Sequence, residues 1–457
     1  MRGGSVAVVG GSIAGCAFAR AAARGGAEQV TVLERSPGRL EDRGVGLCVV
    51  LDRYAELVRA GHLDDGIRHH PLTERHWVAA DPSGTHGPRG RVLWVQPMAM
   101  HAFHWGVLWQ GLRERAPDAV EFRTGTTVTA VGGGGPDDGP QAWVATSGGR
   151  DPYDLVVGAD GHRSVVRGAV CPDARPEYAG YVCWRGSFDA RLLDRLPGGG
   201  ARWPGHEVIT ACYPGGQVVL YRIPGLEPGT TLVNWVFYAP APAWLHPTGD
   251  TGADGSRADG TVTGDTGAGV PAHTPADPNG IPAGSLDRVR LDELADLADR
   301  HLPPYWAGVV NLTPVERILL QPIHDLATPR RTAGRLLLAG DAATLVRPHN
   351  TSGAAKALQD ACAFEDAWRS ADGWDDLLPG YDRERGAVGR ALVDLGRRLG
   401  RAQVTGAPDW RTIDEAGMAE WWREQLAGTG GFGGLSLDRP SNSPSVPDGS
   451  TRQTFTP

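Results

Sequence analysis

Three acidic side chains, Glu34, Asp160 and Asp341, each stand at or just after the end of a short apolar run. Apolar runs of this length predict buried parallel strands. The carboxyl ends of such strands meet at one edge of a sheet, where open α/β folds bind ligands. Carboxylates placed there can accept hydrogen bonds from ribose or ribityl hydroxyls, or from backbone amides. Together the three segments predict a site for one long ligand, and a dinucleotide fits better than a mononucleotide.

The first segment, Val6 to Arg35, has the glycine pattern of a dinucleotide-binding turn, G-x-G-x-x-G, except that serine occupies the second position. Gly10 permits the tight turn out of the strand, and Gly15 lets the following helix lie on the sheet with its free amides towards a pyrophosphate. Ser12 is small enough for close approach of a phosphate. Glu34 is placed to bind both hydroxyls of an unphosphorylated ribose, as in FAD or NAD. The alternative is a glycine turn without a ligand.

The second segment, LVVGADGHRSVVR from Leu155 to Arg167, places Asp160 and Gly161 just after a strand. Asp160 can hold the turn by accepting from backbone amides, and Arg167 can reach a phosphate or a pyridine dinucleotide. A purely structural role for Asp160, capping the next helix, is compatible with this interpretation.

The third segment, from Leu336 to Ala361, contains Gly340 and Asp341 at a switch from strand to helix. Asp341 is placed to bind a ribityl or ribose hydroxyl. A loop beginning at Pro348 leads through Gly353 into a helix predicted over 354–368, whose first turn has unpaired amides that favour an anionic ring edge. A glycine–aspartate pair is also common without a ligand.

Composition narrows the class of protein. The 457 residues suffice for two or more domains, and the net charge of -8, with no basic cluster, argues against a nucleic-acid partner. The six cysteines show no zinc spacing, so buried thiols in a reducing cytosol are expected, and no metal. A strand that starts at Val6 leaves no room for a signal peptide, and no apolar run approaches the length of a membrane span. We therefore expect a cytoplasmic protein without stable membrane insertion.

The order of the patterns predicts two interleaved domains. The first is a discontinuous dinucleotide-binding domain, and β-rich runs such as QVVLYRI and TLVNWVFY predict the second. The expected division is 1–72, 97–172 and 326–427 for the first domain, and 73–96 with 173–325 for the second. Within the second domain, 247–284 is polar and glycine-rich and is predicted to be a disordered insertion. The tail 428–457 is predicted to be disordered as well.

In order and spacing, these three segments resemble the single-component FAD-dependent aromatic hydroxylases, the class A flavoprotein monooxygenases. Sequence motifs such as YAGYVCWRG, IHDLATPR and GDAATLVRPH are most similar to those of the branch of 2,6-dihydroxypyridine 3-monooxygenases. The resemblance implies an α/β fold with a Rossmann-like FAD-binding domain and a substrate domain roofed by a β-sheet. It also implies that Glu34 binds the adenosine ribose, that Asp160 and Gly161 serve both FAD and NAD(P)H, and that Asp341 contacts the ribityl chain.

The expected cofactor contacts form one set along these segments. They are Gly10, Ser12, Ile13, Ala14, Gly15, Glu34, Arg35, Val128, Asp160, Gly161, Arg167, Gly340, Asp341, Pro348 and Gly353. Two positions depart from the resemblance. Trp105 stands where many relatives have an arginine, and Lys356 lies in the stretch where many have an asparagine-containing motif. Lys356 either touches the carbonyl edge of the flavin or is solvated.

The reaction implied by the resemblance begins with reduction of FAD by NADPH or NADH. O2 would then form a C4a-hydroperoxyflavin, which an electron-rich aromatic or heteroaromatic ring attacks. Activating a phenol or hydroxypyridine calls for a base or tyrosine near the ring. The candidates are His349, Tyr221 and Arg222, with Tyr213 as a further one and Arg185 for an anionic substrate group. A packed core aromatic or a surface polar residue is the alternative for each.

Other functions stay open on the sequence alone. One is an FAD oxidase, oxidative cyclase or halogenase on the same fold. A second is an NAD-dependent dehydrogenase that uses only the first segment, although the other two segments speak against it. A third is a flavin-binding protein without catalysis. The sequence leaves the substrate, the nicotinamide preference and the oligomeric state undecided.

Overall fold

The computed structural model describes residues 3–38, 40–41, 45–134, 141–197, 199, 203–245 and 280–429. Most of the predicted insertion (247–279) and nearly all of the predicted tail (430–457) lie outside the described residues. In the described part of the chain, no helix combines the length and the apolar character needed to cross a bilayer.

Strands outnumber helices in the first half of the chain. The helices of the described part are α1 Ile13–Gly25, α2 Leu51–Arg59, α3 Trp105–Glu114, α4 Val165–Val170, α5 Arg288–His301, α6 Pro304–Asn311, α7 Gly353–Ser370, α8 Trp374–Gly400 and α9 Glu415–Leu426. The strands of the same part are β1 Ser5–Val9, β2 Gln29–Glu34, β3 Gly46–Val50, β4 His70–Ala79, β5 Arg91–His104, β6 Val120–Thr124, β7 Ala130–Gly132, β8 Ala142–Thr146, β9 Gly149–Tyr153, β10 Leu155–Gly158, β11 Glu177–Asp189, β12 Glu207–Tyr213, β13 Gly216–Pro224, β14 Thr231–Pro240, β15 Ile318–Ala327, β16 Thr332–Ala333, β17 Leu336–Leu338 and β18 Thr344–Leu345.

The strands of the three sequence segments lie in one sheet. Its order is β16-β17-β10-β1-β2-β6, and every pairing is parallel except that of β16 with β17. The strands β1, β10 and β17 are apolar and almost wholly buried, as expected where helices cover both faces. Because β1, β10 and β17 are neighbours, the three segments that follow them open at the same sheet edge. The α/β prediction with a Rossmann-like domain is confirmed.

Two glycines of the first segment are required by sterics. Gly10 adopts a φ of 98°, which favours glycine, and a Cβ there would approach the carbonyl oxygen of Ala159 to 2.5 Å. A Cβ on Gly15 would overlap the carbonyl oxygen of Gly10. The glycines therefore allow α1 to start close to the end of β1.

The second sheet has the order β18-β15-β11-β14-β13-β12-β4-β5-β3. Its alternating residues pack one apolar face against α5 and α6, where Trp184, Trp235 and Trp306 are fully buried. β3 and the last residues of β5 belong to this sheet, although 1–72 and 97–172 are assigned to the first domain in the predicted division. Segments that are predicted to belong to the first domain therefore contribute strands to the second sheet.

Within 120–157, β7, β8 and β9 form a small antiparallel sheet, while β6 and β10 join the parallel one. One further expectation needs correction. The predicted disorder is wrong for residues 280–284, since Ile281 and Leu320 exchange two backbone hydrogen bonds of 2.8 and 3.0 Å.

Candidate functional site

A cavity of about 380 Å3 lies between the edge of the parallel sheet and the face of the second sheet. All three segments contribute to its wall, through residues that include Ser12, Gly161 and Asp341. Its volume is in the range of pockets that hold small organic ligands. The sequence-predicted residues that line it are Ser12, Ile13, Ala14, Gly161, Arg185, Tyr221, Gly340, Asp341, Pro348, His349 and Gly353.

The first segment presents backbone to the cavity and uses its acid to shape the turn. Ser12 is the N-cap of α1 and makes no side-chain cap hydrogen bond, so its hydroxyl and the first amides of the helix face the cavity without a cap partner. Glu34 is buried, and its carboxylate accepts from the amides of Gly11 at 2.8 Å and Ser36 at 2.9 Å. These bonds hold the loop that a dinucleotide would contact. Glu34 therefore shapes the turn, and its contact with a ribose stays a prediction.

The second segment supports the loop of the third. Asp160 accepts from the amide of Val165 at 2.7 Å, as expected for the capping alternative, and burial raises its pKa although these hydrogen bonds lower it. The Arg167 guanidinium donates to the carbonyl oxygens of His162 and Ala342 and does not line the cavity. Arg167 thus joins two cofactor-facing segments by their backbones.

The third segment forms the longest stretch of the wall. Asp341 is about half exposed and lines the cavity, 3.7 Å from the Nζ of Lys356. Thr351, in the loop before α7, has a φ of 54°, a strained conformation for a residue other than glycine. Its neighbours Ser352 and Gly353 bring the start of α7 to the cavity. Free amides at this helix start would favour a negatively charged ligand edge.

Lys356 is not solvated, which excludes one of its two expected roles. Its side chain is fully buried, and Nζ donates to the carbonyl oxygen of Thr344 at 2.7 Å. Burial lowers its pKa, and the nearby Asp341 and Asp360 raise it in part. Lys356 thus holds the base of the loop that carries Asp341.

His349 lies at the cavity wall as predicted, but in a setting that disfavours its charged form. It is fully buried, and burial together with the nearby guanidinium of Arg347 lowers its pKa to about 3. Its Nε2 is 2.8 Å from the hydroxyl of Tyr181, and its ring lies 4.2 Å from that of Tyr238. A neutral imidazole in this position can orient a ligand by hydrogen bonding, but it cannot retain a proton near neutral pH.

Tyrosines of the second sheet also face the cavity as neutral groups. Tyr221 and Tyr238 line it, and burial raises the pKa of both well above the usual value. A nearby thiol, that of Cys48, raises the pKa of Tyr221 further. These phenols can donate hydrogen bonds, and neither supplies a phenolate base near neutral pH.

Nine sequence-predicted residues do not line the cavity. Five of them, Gly10, Gly15, Glu34, Asp160 and Arg167, belong to the turns described above, and the remaining four lie elsewhere. Arg222 follows Tyr221 on β13 and so points to the other face, where it donates to the carbonyl oxygen of Trp203 at 2.9 Å. Tyr213 donates to the carbonyl oxygen of Tyr238 at 2.8 Å and packs in the core. The other two are Arg35, which is exposed, and Val128, which packs in the core beside the parallel sheet.

Several polar residues of the wall were not indicated by the sequence, among them Arg75, Gln217 and Gln403. Gln217 donates to Gln403 at 2.6 Å. Arg75 stands two residues before the buried Trp77 on β4, so strand alternation would have placed both on one face. Gln403 lies in a single π-helical turn after α8, and no sequence pattern marks it.

The wall fits one FAD molecule in its chemistry. At the first turn, glycines leave open the space that a Cβ would occupy. The unpaired amides at the starts of α1 and α7 face the same space, and Asp341 offers a half-exposed carboxylate between them. Trp105 also lines the cavity and stacks on Trp109 at an interplanar angle of 6°. It gives this part of the wall a flat aromatic surface.

Models of protein families match two parts of the chain. A model described as FAD binding domain-like matches residues 178–320, and one described as FAD binding domain matches residues 302–396. The 2,6-dihydroxypyridine 3-monooxygenase of Paenarthrobacter nicotinovorans is 28% identical over 397 residues, which cover 86% of this chain and 90% of that protein. The 3-amino-4-hydroxybenzoate 2-monooxygenase of Streptomyces cremeus is 31% identical over 236 residues, or 49% of this chain and 57% of that protein.

Solved structures share the fold. The 2,6-dihydroxypyridine-3-hydroxylase from Arthrobacter nicotinovorans superposes with a TM-score of 0.70 at 22% identity, covering 90% of this chain and 96% of that one. Klebsiella pneumoniae HpxO complexed with FAD and uric acid superposes with a TM-score of 0.64 at 19% identity, covering 92% of each chain. The overall fold of this chain is therefore the one seen in these two solved structures.

Proposed function

We infer that this chain belongs to the FAD-dependent aromatic hydroxylases and that it hydroxylates a small electron-rich aromatic or heteroaromatic ring, with NADPH or NADH and O2 as co-substrates. The observation that carries this proposal is the convergence of three segments and the second sheet on one cavity. The match over most of its length to a 2,6-dihydroxypyridine 3-monooxygenase supports it.

The residues would hold FAD end to end. The helix-start amides of α1 would bind the pyrophosphate, with the turn shaped by Gly10, Gly15 and Glu34. Asp341 would accept from a ribityl hydroxyl, and the loop from Pro348 to Gly353 would lie beside the ring. FAD, when bound and reduced, supplies the activation of O2 that no side chain can supply.

The second sheet would cover the substrate and exclude water. Its contribution to the wall is largely apolar and includes Met98, Met100, Val219 and Val236. A dry cavity protects a reactive oxidant from water and strengthens polar contacts with the substrate. His349 and Tyr238 would orient the substrate as neutral hydrogen-bonding groups.

The test is turnover with a substrate panel. FAD-loaded protein is mixed with hydroxypyridines, phenols and indoles, and NADPH or NADH oxidation is followed together with product mass under labelled O2. We expect at least one compound to accelerate NAD(P)H oxidation and to gain one labelled oxygen atom. Peroxide release without a labelled product would instead favour an oxidase, and retained flavin without any turnover would favour a flavin-binding protein.

The matched variant for this test is Asp341→Ala. Asp341 is half exposed, so its loss should leave the fold intact while removing a charge-assisted hydrogen bond to FAD, which lowers FAD affinity by about tenfold or more. Asp173→Ala, an exposed residue outside the cavity wall, serves as the control. Flavin occupancy is read from the absorbance of the purified proteins. Equal occupancy in both variants would remove Asp341 from the cofactor site.

A further inference from the structure

A buried cation of the cavity wall has no anionic partner among the described residues. Arg75 is 7% exposed and lines the cavity from β4. Its Nε donates to the hydroxyl of Thr210 at 2.7 Å, and its guanidinium carbon lies 3.8 Å from the ring centre of Trp77. Among the described residues, its side chain makes no other hydrogen bond and no ion pair.

No negatively charged group of the described chain therefore compensates the charge of Arg75, and its contact with the Trp77 ring is its main electrostatic support. Burial lowers its pKa to about 10, so the side chain remains a cation near neutral pH. The groups of the described chain that raise this pKa are the thiol of Cys212 and the phenol of Tyr238, both neutral in this setting, and no carboxylate is among them. A buried charge without a partner is costly, and natural proteins usually pair it. The missing partner is thus expected from a ligand.

A second guanidinium faces the same space. Arg185 lines the cavity from β11 and donates to the carbonyl oxygen of Gly46 at 3.0 Å, while its buried Nε has no hydrogen-bond partner in the described chain. Arg75 and Arg185 both lower the pKa of Tyr238, so both positive charges act on one region of the wall. Beside them, the amide oxygen of Gln217 is buried without a hydrogen-bond partner in the described chain.

We propose that Arg75, with Arg185, forms an anion-binding subsite, so that this enzyme takes its aromatic substrate with an anionic oxygen, either a carboxylate or an ionised ring hydroxyl. The proposal rests on the function proposed above only for the ring itself, because the uncompensated cation is a property of the cavity wall whatever reaction occurs there.

The subsite replaces a general base. His349 has a pKa too low to hold a proton taken from a ring hydroxyl near neutral pH, and Tyr221 and Tyr238 already carry their own protons there, so none of the three acts as the base. A nearby cation lowers the pKa of a bound hydroxyl instead, and the proton passes to solvent as the substrate binds. The oxygen retains the electron pair of its O–H bond, which makes the ring more electron-rich. Arg75 would thus be a specificity-determining residue that contacts the substrate.

The first experiment measures binding alone, so that it does not depend on turnover. FAD-loaded protein is titrated with benzoate and with its neutral analogue benzamide, followed by calorimetry and by perturbation of flavin absorbance. We expect benzoate to bind more tightly than benzamide, and Arg75→Met to weaken benzoate binding by about tenfold or more while leaving benzamide unchanged. Equal binding of the two probes to wild-type protein would overturn the proposal.

The matched control is Arg150→Met. Arg150 also lies over a tryptophan ring, 3.9 Å from the ring centre of Trp143, but it is exposed and outside the cavity wall. We expect it to bind benzoate like wild type. If Arg75→Met fails to fold, Arg75→Lys keeps the charge, and it should retain the preference for benzoate over benzamide. Loss of that preference in a folded Arg75→Lys variant would count against a charge-based subsite.

A second arm separates the two sources of the anion. 4-Nitrophenol absorbs differently as a phenol and as a phenolate, so its ionisation can be read while bound. An oxyanion subsite lowers the pKa of the bound probe relative to the free probe in wild-type protein, and Arg75→Met abolishes that shift. A preference for benzoate without any shift of 4-nitrophenol would assign the subsite to carboxylates. If the panel shows no turnover but benzoate binding depends on Arg75, the subsite stands and the hydroxylase proposal fails.

Discussion

At the scale of single residues, His349 shows how burial changes the role that a sequence suggests. Its place next to Pro348 predicts a residue beside the flavin, and the structure puts it on the cavity wall. Burial lowers its pKa to about 3, and the hydroxyl of Tyr181 lies 2.8 Å from its Nε2. His349 is therefore neutral near pH 7, and we propose that it orients the substrate and does not act as the base.

This state of His349 gives a pH dependence of stability. In the unfolded chain the imidazole titrates near its usual value of about 6.5, so between that pH and about 3 unfolding takes up a proton. Stability is then lost as the pH falls through this window. Urea unfolding at pH 7 and pH 4 should show a smaller loss for His349→Gln than for wild type, with a difference of at most a few kcal/mol. His206→Gln, a half-exposed site, is the control, and identical losses in wild type and His349→Gln would contradict the assignment.

Neighbouring residues on a strand show what the sequence could and could not decide. Tyr221 and Arg222 are both catalytic candidates by sequence, yet successive side chains of β13 point to opposite faces, so only Tyr221 lines the cavity. Which face of a strand is inward depends on what packs against it, and that is a long-range property. Arg75 was not predicted for the same reason. Trp77, two residues further along β4, points to the same face and is buried, so it indicated which face is inward.

At the scale of elements, the strand-and-turn units are the part that the sequence predicts well. β1, β10 and β17 were expected from short apolar runs followed by glycine, and they are neighbours in one sheet. The membership of β3 in the second sheet was not expected, since its pairing with β5 joins residues 50 to 58 positions apart. Local patterns carry no information on such pairings.

A buried ion cluster joins α7 to α8 behind the cavity. Asp360 on α7 is fully buried, 3.3 Å from Nη1 of Arg331 and 2.7 Å from Nε of Arg385 on α8. We expect Asp360→Ala to lower the free energy of unfolding by about 3–5 kcal/mol, because two buried guanidinium groups lose their shared counter-ion. Urea unfolding at pH 7 measures this change in the free energy of unfolding. Glu384→Ala, which removes an exposed partner of Arg385, should cost less than about 1 kcal/mol, and equal losses would show that burial of the cluster is unimportant.

At the scale of the whole molecule, one cavity is bounded by both sheets, so cofactor binding should stabilise the entire chain. A ligand that binds only the folded state stabilises it by about 2.7 kcal/mol at a hundredfold excess over Kd. FAD added to flavin-free protein should therefore raise Tm by several degrees in a single transition seen by calorimetry. Riboflavin, which lacks the ADP half that the first segment would bind, should raise it less. A separate, unshifted transition would indicate that the second sheet melts independently of the site.

The indoles of Trp105 and Trp109 make the intrinsic fluorescence of the protein sensitive to what occupies the cavity. Trp105 faces the ligand space, while Trp109 stacks on it and donates through Nε1 to the carbonyl oxygen of Gly11, 2.8 Å away, in the turn that would cradle the dinucleotide. An isoalloxazine nearby would quench the emission of these rings. Subtracting the emission of Trp105→Phe protein from that of wild type would then report site occupancy in real time without an attached dye.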